Sequence, residues 1–163
     1  MRTDYDEDSA QQAIHEWGPA HGEAIALRTY TARLLGADPT LVLHGGGNTS
    51  VKAPWVDDLG QTRRALFVKG SGWNLGTIEP AGHPAVDLER LLPLRARDAM
   101  SDEDMVNAHR TRLFDSSAPS PSVETLLHAF LPHTYIDHSH ANAIVALTNL
   151  EGRAHVQRAL GDD

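Results

Sequence analysis

The chain of 163 residues contains no cysteine. This absence excludes a disulfide framework, and it means that any metal site must take its ligands from His, Asp or Glu. It also gives no indication of an oxidising compartment.

Long apolar runs are absent as well. The N-terminal stretch MRTDYDEDSAQQ has neither the basic region nor the apolar region of a signal peptide. No later stretch approaches the roughly 20 apolar residues that a helix needs to span a bilayer. The sequence therefore predicts a soluble, cytoplasmic protein without a membrane partner.

Basic residues are few and dispersed. Lys and Arg number 14 against 22 Asp and Glu, which gives a formal net charge of -8. A nucleic-acid site needs a basic stripe or patch, so the charge pattern argues against nucleic acid as a partner. With 40% hydrophobic and 22% charged residues the chain has the composition of a folded protein, and we predict one domain over residues 1–163.

Turn signals divide the chain into alternating helices and strands. Apolar residues at helical spacing predict a helix over residues 22–38 that stops near Gly36 and Pro39. The runs TLVLH, VKAPW, ALFV and TYIDHSH predict strands, and SDEDMVNAHRTRLF, SPSVETLLHAFLP and ANAIVALTN predict helices that follow a capping residue or a turn. This alternation is typical of the α/β class.

Two glycine turns follow predicted strands, HGGGNTS at residues 44–50 and KGSG at residues 69–72. Consecutive glycines can turn their backbone N–H groups into a concave nest, and Asn48, Thr49 and Ser50 would add side-chain donors, so the first turn suits a phosphate or another small anion. It lacks the Lys-Ser/Thr end of a Walker loop. A tight β-turn that needs glycine for geometry alone is the alternative for each turn.

Two histidines lie two residues apart in the segment YIDHSH. On a strand His138 and His140 would point to the same side, where neutral imidazoles can hold one Zn²⁺. A catalytic zinc commonly takes three protein ligands, and His133 or His155 could add one only if the fold returns them to the pair. An incidental pair is the alternative, and Asp137 would face the opposite side of the strand.

One carboxylate stands close to this pair in the sequence. Glu124 lies in the first turn of the helix predicted from Ser122, where the helix N-terminus stabilises its charge. A solvated or capping carboxylate, or a local contact with His128 four residues later, would explain it without chemistry. Because a short link joins this helix to the strand of His138 and His140, the acid comes near a candidate metal site.

The four motifs GGGNTS, KGSG, PSVE and DHSH, in this order, resemble those of the class II aldolase/adducin family. The longer runs LVLHGGGNTSVK, LFVKGSGWNLGTIEPAGHPAVDLERL and SVETLLHAFLPH resemble specifically the N-terminal aldolase part of bifunctional rhamnulose-1-phosphate aldolase/short-chain dehydrogenase proteins. The resemblance covers roughly residues 22–149.

The resemblance implies a three-layer α/β/α sandwich and Zn²⁺-dependent, reversible aldol cleavage of a ketose 1-phosphate. For a rhamnulose-like substrate the products are dihydroxyacetone phosphate and lactaldehyde. It implies that His138 and His140 bind zinc, and that Glu124 transfers the proton and is a further zinc ligand candidate in the resting site. The substrate phosphate is then bound by the residues that match the family's turns, namely Gly47, Asn48, Ser71, Gly72 and Ser122.

Two departures from the family pattern shape these expectations. Val123 stands where many members have a second serine, which removes one hydroxyl from the phosphate site. The family's third zinc histidine would lie beyond Asp163, so we expect an incomplete domain that lacks the C-terminal part and a dehydrogenase half, is weakly active or inactive alone, and belongs to a homo-oligomeric full-length protein. A pentulose-phosphate epimerase and a non-catalytic adducin-like interaction domain remain the alternatives.

Overall fold

A computed structural model of the protein describes residues 4–151 and 154–161. Within this part of the chain four strands form one antiparallel sheet, with the order β3-β2-β1-β4. The strands are β1 (Asn48–Val56), β2 (Thr62–Val68), β3 (Ala85–Asp87) and β4 (Tyr135–His138). β1 and β2 are neighbours in sequence and pair as a hairpin, whereas β4 comes from much later in the chain and pairs with the first half of β1.

The α-helices of the described residues connect and cover this sheet. They are α1 (Glu7–His21), α2 (Glu23–Ala37), α3 (Leu88–Leu91), α4 (Asp102–Arg110), α5 (Thr125–Phe130), α6 (Asn142–Thr148) and α7 (Ala154–Leu160), with short 3-10 turns at Leu75–Thr77, Pro80–Gly82 and Leu92–Ala96. None of these helices combines the length and the apolar character that a membrane span requires.

Helices pack on both faces of the sheet, because successive residues at the end of β2 are apolar and lie on opposite sides of the strand. On one face Leu66 and Val68 pack against α3 and against Ala129 of α5. On the other face Phe67 packs with Ile25 at the start of α2. Successive strand residues point to opposite sides, so this double burial confirms the predicted three-layer α/β/α sandwich.

The elements follow the sequence pattern closely at two helices. The helix predicted over residues 22–38 is α2, and the predicted cap of α4 is present, with Ser101 Oγ accepting a hydrogen bond from the Asp104 amide at 3.1 Å. Such a bond satisfies one of the free N–H groups at the start of a helix.

The strand predicted for TLVLH is wrong. Residues 40–44 are a turn, in which Asp38 Oδ1 accepts hydrogen bonds from Thr40 and the Val42 amide donates to the Asp38 carbonyl. Asp binds its own following backbone in this way and so competes with sheet formation. Val42 is nevertheless buried, since it packs with Leu75 and Ile78 in a cluster of loop residues beneath α2.

Two predicted boundaries also need correction. The helix predicted from Ser122 begins at Thr125, so that Glu124 is its N-cap and not a member of its first turn. The strand predicted for TYIDHSH ends at His138, which leaves His140 two residues beyond β4.

Candidate metal centre

Three side chains that can bind a metal converge at one end of the sheet. They are Glu124 at the N-cap of α5, His138 at the last position of β4 and His140 just after it. One ligand atom from each lies within 4.8 Å of the other two. Glu124 Oε1 is 3.1 Å from His138 Nδ1 and 3.8 Å from His140 Nε2. We call these residues the Glu-His-His cluster.

The backbone around each residue explains why they meet. Residues 121–124 lie against the second glycine turn, where the Ser122 amide donates to the Lys69 carbonyl at 3.2 Å and Gly70 bridges to Pro121. This contact brings the start of α5 to the end of β2. β4 pairs with β1, and His138 lies directly opposite Asn48. The start of α5, which carries Glu124, and β4, which carries His138, are therefore both held on the hairpin of β1 and β2.

Gly47 allows β4 to approach the first glycine turn. Its φ is +71°, a value that residues with a side chain rarely adopt, and a Cβ there would lie 2.8 Å from the carbonyl oxygen of His138. The neighbouring Gly46 leaves room for the His140 ring, because a Cβ on Gly46 would lie 3.0 Å from His140 Nδ1. At these two positions the glycines shape the cluster itself.

The Glu124 side chain is held in its charged form. Burial raises its pKa, but the Asn48 amide and then the imidazoles of His138 and His140 lower it more, so the pKa lies below its ordinary value. Neither polar atom of the Asn48 side chain has a hydrogen-bond partner of normal distance and angle. The contact of Asn48 with Glu124 is therefore electrostatic and poorly aligned, and it is not a full hydrogen bond.

The cluster fits a metal ion by its chemistry. His138 Nδ1 is buried without a hydrogen-bond partner, since its 3.1 Å contact with Glu124 is not aligned as a hydrogen bond. A buried polar atom in this state costs free energy that a bound cation would recover. One carboxylate oxygen and two imidazole nitrogens are donors that Zn²⁺ accepts, and the side chains keep 25%, 29% and 48% of their exposure, so the site is open on one side.

The histidines considered as further ligands do not join this cluster within the described residues. His133 is exposed and is not part of the group. The side chain of His155 lies outside what the structure describes. Asp137 points away from the cluster, as its alternation on the strand predicts, and pairs with Arg28 of α2.

The two glycine turns are neighbours. Lys69 Nζ donates to the Gly45 carbonyl at 3.1 Å and so ties the first turn to the start of the second. Ser71 and Gly72 are exposed, whereas Ser122 is buried and accepts a hydrogen bond from the Glu124 amide at 3.3 Å. The residues predicted to bind phosphate thus surround the same end of the sheet as the Glu-His-His cluster.

Two hydroxyls that the sequence suggested as anion donors are used elsewhere. Thr49 Oγ1 lies 3.1 Å from His83 Nε2, and Ser50 Oγ lies 2.7 Å from His128 Nδ1, with all four residues buried. The expectation for Thr49 and Ser50 is therefore wrong. The local side-chain contact between Glu124 and His128 is also not formed, because His128 turns its ring to β1.

Burial keeps these two histidines neutral. Burial, followed by the charges of Arg28 and Lys69, lowers the pKa of His83 to about 3. Burial is also the largest cause that lowers the pKa of His128 to about 4. Both rings act as neutral hydrogen-bonding groups that fasten the first residues of β1 to the rest of the domain.

The sequence analysis did not identify two basic residues, Lys69 beside Glu124 and Arg28 on the opposite side of β4. Lys69 is 5% exposed, and burial lowers its pKa while the nearby Glu124 raises it. The only sequence signal for Lys69 is its place in the motif KGSG, whose glycines alone suggested an anion site. Arg28 is 1% exposed, yet an Arg on an amphipathic helix is normally solvent-facing, so nothing in one sequence marks it.

A separate cavity lies away from the cluster. It has a volume of about 770 Å³ and is lined by the junction of α1 and α2, by Trp55 and Phe67 of the hairpin, and by loop residues near Pro119. None of the three cluster residues lines it. Candidate metal ligands, charged groups and access from solvent coincide at the cluster, which is therefore the candidate site.

Comparisons with known proteins found a matching family model, a similar solved structure and a similar curated protein. A sequence model of the family described as Class II Aldolase and Adducin N-terminal domain matches residues 28–161. A solved structure of the N-terminal class II aldolase domain of a conserved protein from Thermoplasma acidophilum is 40% identical, with a TM-score of 0.76 over 99% of this chain and 68% of that chain. The uncharacterized oxidoreductase YuxG of Bacillus subtilis (strain 168) is 42% identical over 118 residues, which are 72% of this chain and 17% of that protein. The chain thus spans about a sixth of this curated relative.

Proposed function

This chain belongs to the class II aldolase and adducin N-terminal domain family, and we propose that it is a metal-dependent aldolase domain. The reaction is the reversible cleavage of a ketose 1-phosphate, such as rhamnulose 1-phosphate, to dihydroxyacetone phosphate and lactaldehyde. The observation that carries the proposal is the convergence of Glu124, His138 and His140 beside two glycine turns.

Zn²⁺ is the proposed cofactor, held by His138 and His140, with Glu124 as a further ligand in the resting site. The donor set and the unpartnered His138 Nδ1 support this choice. When bound, zinc supplies Lewis-acid stabilisation of the negative charge that develops on substrate oxygens during carbon–carbon cleavage.

Glu124 is the proposed proton-transfer group. In the condensation direction its carboxylate takes the proton from the carbon next to the ketone carbonyl, that carbon bonds to the aldehyde carbon, and the aldehyde oxygen takes up a proton from water. In the cleavage direction the hydroxyl proton goes to water, the carbon–carbon bond breaks, and Glu124 returns its proton to the carbon next to the carbonyl. The carboxylate is charged at neutral pH and can therefore accept a proton. Its place at the N-cap of a helix anchored by Ser122 keeps the carboxylate facing the two histidines.

The phosphate of the substrate is proposed to bind between the glycine turns. Ser71 and Gly72 are open to solvent, Ser122 keeps its hydroxyl proton for donation, and Asn48 has unpaired polar atoms. Lys69 adds a positive charge at the junction of the two turns. Binding energy at this remote group positions the reacting carbons over the cluster.

The full-length protein is proposed to be a cytoplasmic, bifunctional homo-oligomer. The support for a second function is the relative YuxG, which carries the name of an oxidoreductase and of which this chain matches 17%. In that setting the aldolase domain acts on a small phosphorylated sugar, and a third histidine ligand completes the zinc site from outside the Glu-His-His cluster.

The test combines metal binding with turnover. Zinc stoichiometry is measured by chelator competition, and ketose 1-phosphate cleavage by trapping the aldehyde product, both for the chain and for the full-length protein. In the full-length protein, where His138, His140 and the proposed third histidine hold the metal, Glu124→Gln should keep zinc and lower turnover by about 10²- to 10⁴-fold, because an amide cannot accept the proton. His138→Ala should lose zinc, whereas His133→Ala, at an exposed position outside the cluster, should behave as the wild type.

Near-normal cleavage by Glu124→Gln would transfer the proton role to another residue. Zinc binding that survives both His138→Ala and His140→Ala would reject the metal site. Zinc binding without any cleavage, together with interconversion of pentulose phosphates, would favour the epimerase.

A further inference from the structure

Arg28 of α2 contacts the three residues of β4 that precede His138. Its Nη2 donates to Asp137 Oδ1 at 2.6 Å, its Nη1 lies 3.5 Å from the Ile136 carbonyl oxygen, and its guanidinium carbon lies 5.9 Å from the centre of the Tyr135 ring. The first contact is a short ion pair, and the second is a weak one at the limit of hydrogen bonding. One side chain thus reaches along β4 up to the candidate metal ligand.

The burial of Arg28 is difficult to explain by stability alone. Its side chain is 1% exposed while that of its partner Asp137 is 55% exposed, and its Nε has no partner. Taking a guanidinium out of water is costly, and a well-packed apolar side chain of similar size often serves stability equally well. The apolar residues of α2, such as Ile25 and Ala32, already pack this helix into the domain.

β4 itself has few other supports. It has four residues, it pairs on one side with β1, and it ends the sheet in the described part of the chain. His138 faces α5, with its ring centre 6.5 Å from that of His128, whereas Asp137 faces α2. The strand is therefore held from the α2 face while its histidine is presented on the other.

We propose that Arg28 is a positioning residue, which fixes β4 through Asp137 and the Ile136 carbonyl so that His138 and His140 face Glu124. This inference rests on the metal site of the proposed function. Groups that hydrogen-bond directly to a metal ligand typically account for about 10- to 100-fold in metal affinity, and Arg28 acts on the residues that precede His138.

The test compares two arginines of the same helix. Arg28→Met removes the charge, keeps most of the volume and leaves Asp137 in solvent. Arg33→Met is the matched control, because Arg33 also binds a backbone carbonyl, donating from Nε to Ile78 at 2.7 Å, but makes its contacts away from β4. Zinc affinity is measured by chelator competition, the spectrum of the Co²⁺-loaded chain reports ligand geometry, and the free energy of unfolding is measured for each variant.

We expect Arg28→Met to weaken zinc binding about 10- to 100-fold and to change the Co²⁺ spectrum. Arg33→Met should retain the affinity and the spectrum. Arg28→Lys keeps the charge but cannot reach Asp137 and Ile136 together, so its affinity should lie between those of Arg28→Met and the wild type.

A metal-free measurement separates this inference from the proposed function. In the NMR spectrum of the unloaded chain, the rings of His138 and His140, whose centres are 4.9 Å apart, should give cross-relaxation that Arg28→Met loses and Arg33→Met keeps. If the wild type bound no zinc, the metal site would be rejected while the ring contacts would still decide the role of Arg28. Unchanged ring contacts and zinc affinity in Arg28→Met, or equal losses in Arg33→Met, would overturn the positioning role.

Discussion

At the scale of single residues, Gly47 is the position where backbone geometry and the candidate metal centre meet. We predict that Gly47→Ala destabilises the protein and weakens metal binding. Its φ of +71° costs a non-glycine residue about 1–2 kcal/mol, and the added Cβ meets the His138 carbonyl oxygen at 2.8 Å. Denaturant unfolding and zinc titration measure the two effects.

Gly60 provides the control for the backbone term. Its φ of +75° is similar, but a Cβ there would meet nothing within 4 Å. Gly60→Ala should therefore show the cost of the dihedral angle and keep the zinc affinity. Equal losses of stability and equal affinities in the two variants would mean that β4 moves freely away from the first turn.

Part of the candidate site could be predicted from single residues of the sequence. The His-x-His spacing and the nearby Glu124 are local in sequence, so their types and positions predicted a common site. The donors at Thr49 and Ser50 were misjudged, because their partners His83 and His128 come from distant segments. One sequence contains no signal for such pairings.

At the scale of elements, the hydrogen bond between Ser50 and His128 joins β1 to α5. Ser50→Ala should lower the free energy of unfolding by about 1–3 kcal/mol, because it leaves the buried His128 Nδ1 without its partner. Chemical denaturation measures this loss. Thr31→Ala removes a hydroxyl bonded only to carbonyls of its own helix and should cost less.

The double variant Ser50→Ala/His128→Leu tests whether the pair acts as a unit. Replacing both polar partners by apolar groups removes the unsatisfied nitrogen, so the double variant should lose less stability than the sum of the single variants. Strict additivity would show that α5 is held on β1 by packing alone.

Element types followed the local pattern where periodicity and capping agreed, as in α2 and α4. The predicted element type was wrong where a polar side chain formed hydrogen bonds with the backbone. Asp38 captures Thr40 and converts the apolar run TLVLH into a turn. Sequence periodicity reports burial well, and Val42 is buried as its type suggests, but burial in a loop cluster and burial in a strand give the same pattern.

At the scale of the whole molecule, buried neutral histidines make stability depend on pH. Burial, then Arg112, lowers the pKa of His109 to about 4, and burial, then Arg28 and Lys69, lowers that of His83 to about 3. In the unfolded chain these histidines bind protons near pH 6.5, whereas in the folded protein they bind protons only at lower pH. These histidines should therefore leave the free energy of unfolding unchanged above about pH 6.5. As the pH decreases below about 6.5, each histidine should lower the free energy of unfolding by up to about 1.4 kcal/mol per pH unit.

Urea unfolding at a series of pH values between 7 and 4 measures this slope. His109→Leu removes one titrating group whose ring nitrogens both lack partners, so it should make the slope shallower by about one proton. Leu91→Ala, in the core, should lower stability by about 2–5 kcal/mol and leave the slope as it is. A slope that His109→Leu does not change would place the acid sensitivity elsewhere.

The distant origin of β4 sets an order of events when the chain folds. The hairpin of β1 and β2 closes a short loop, whereas Ser50 and His128 lie 78 positions apart and Arg28 and Asp137 lie 109 positions apart. Closing long loops costs more entropy and is slower, so we expect β4 to dock late. The ligands of the candidate metal centre would then come together only in the last step of folding, and metal would be captured by a nearly finished domain.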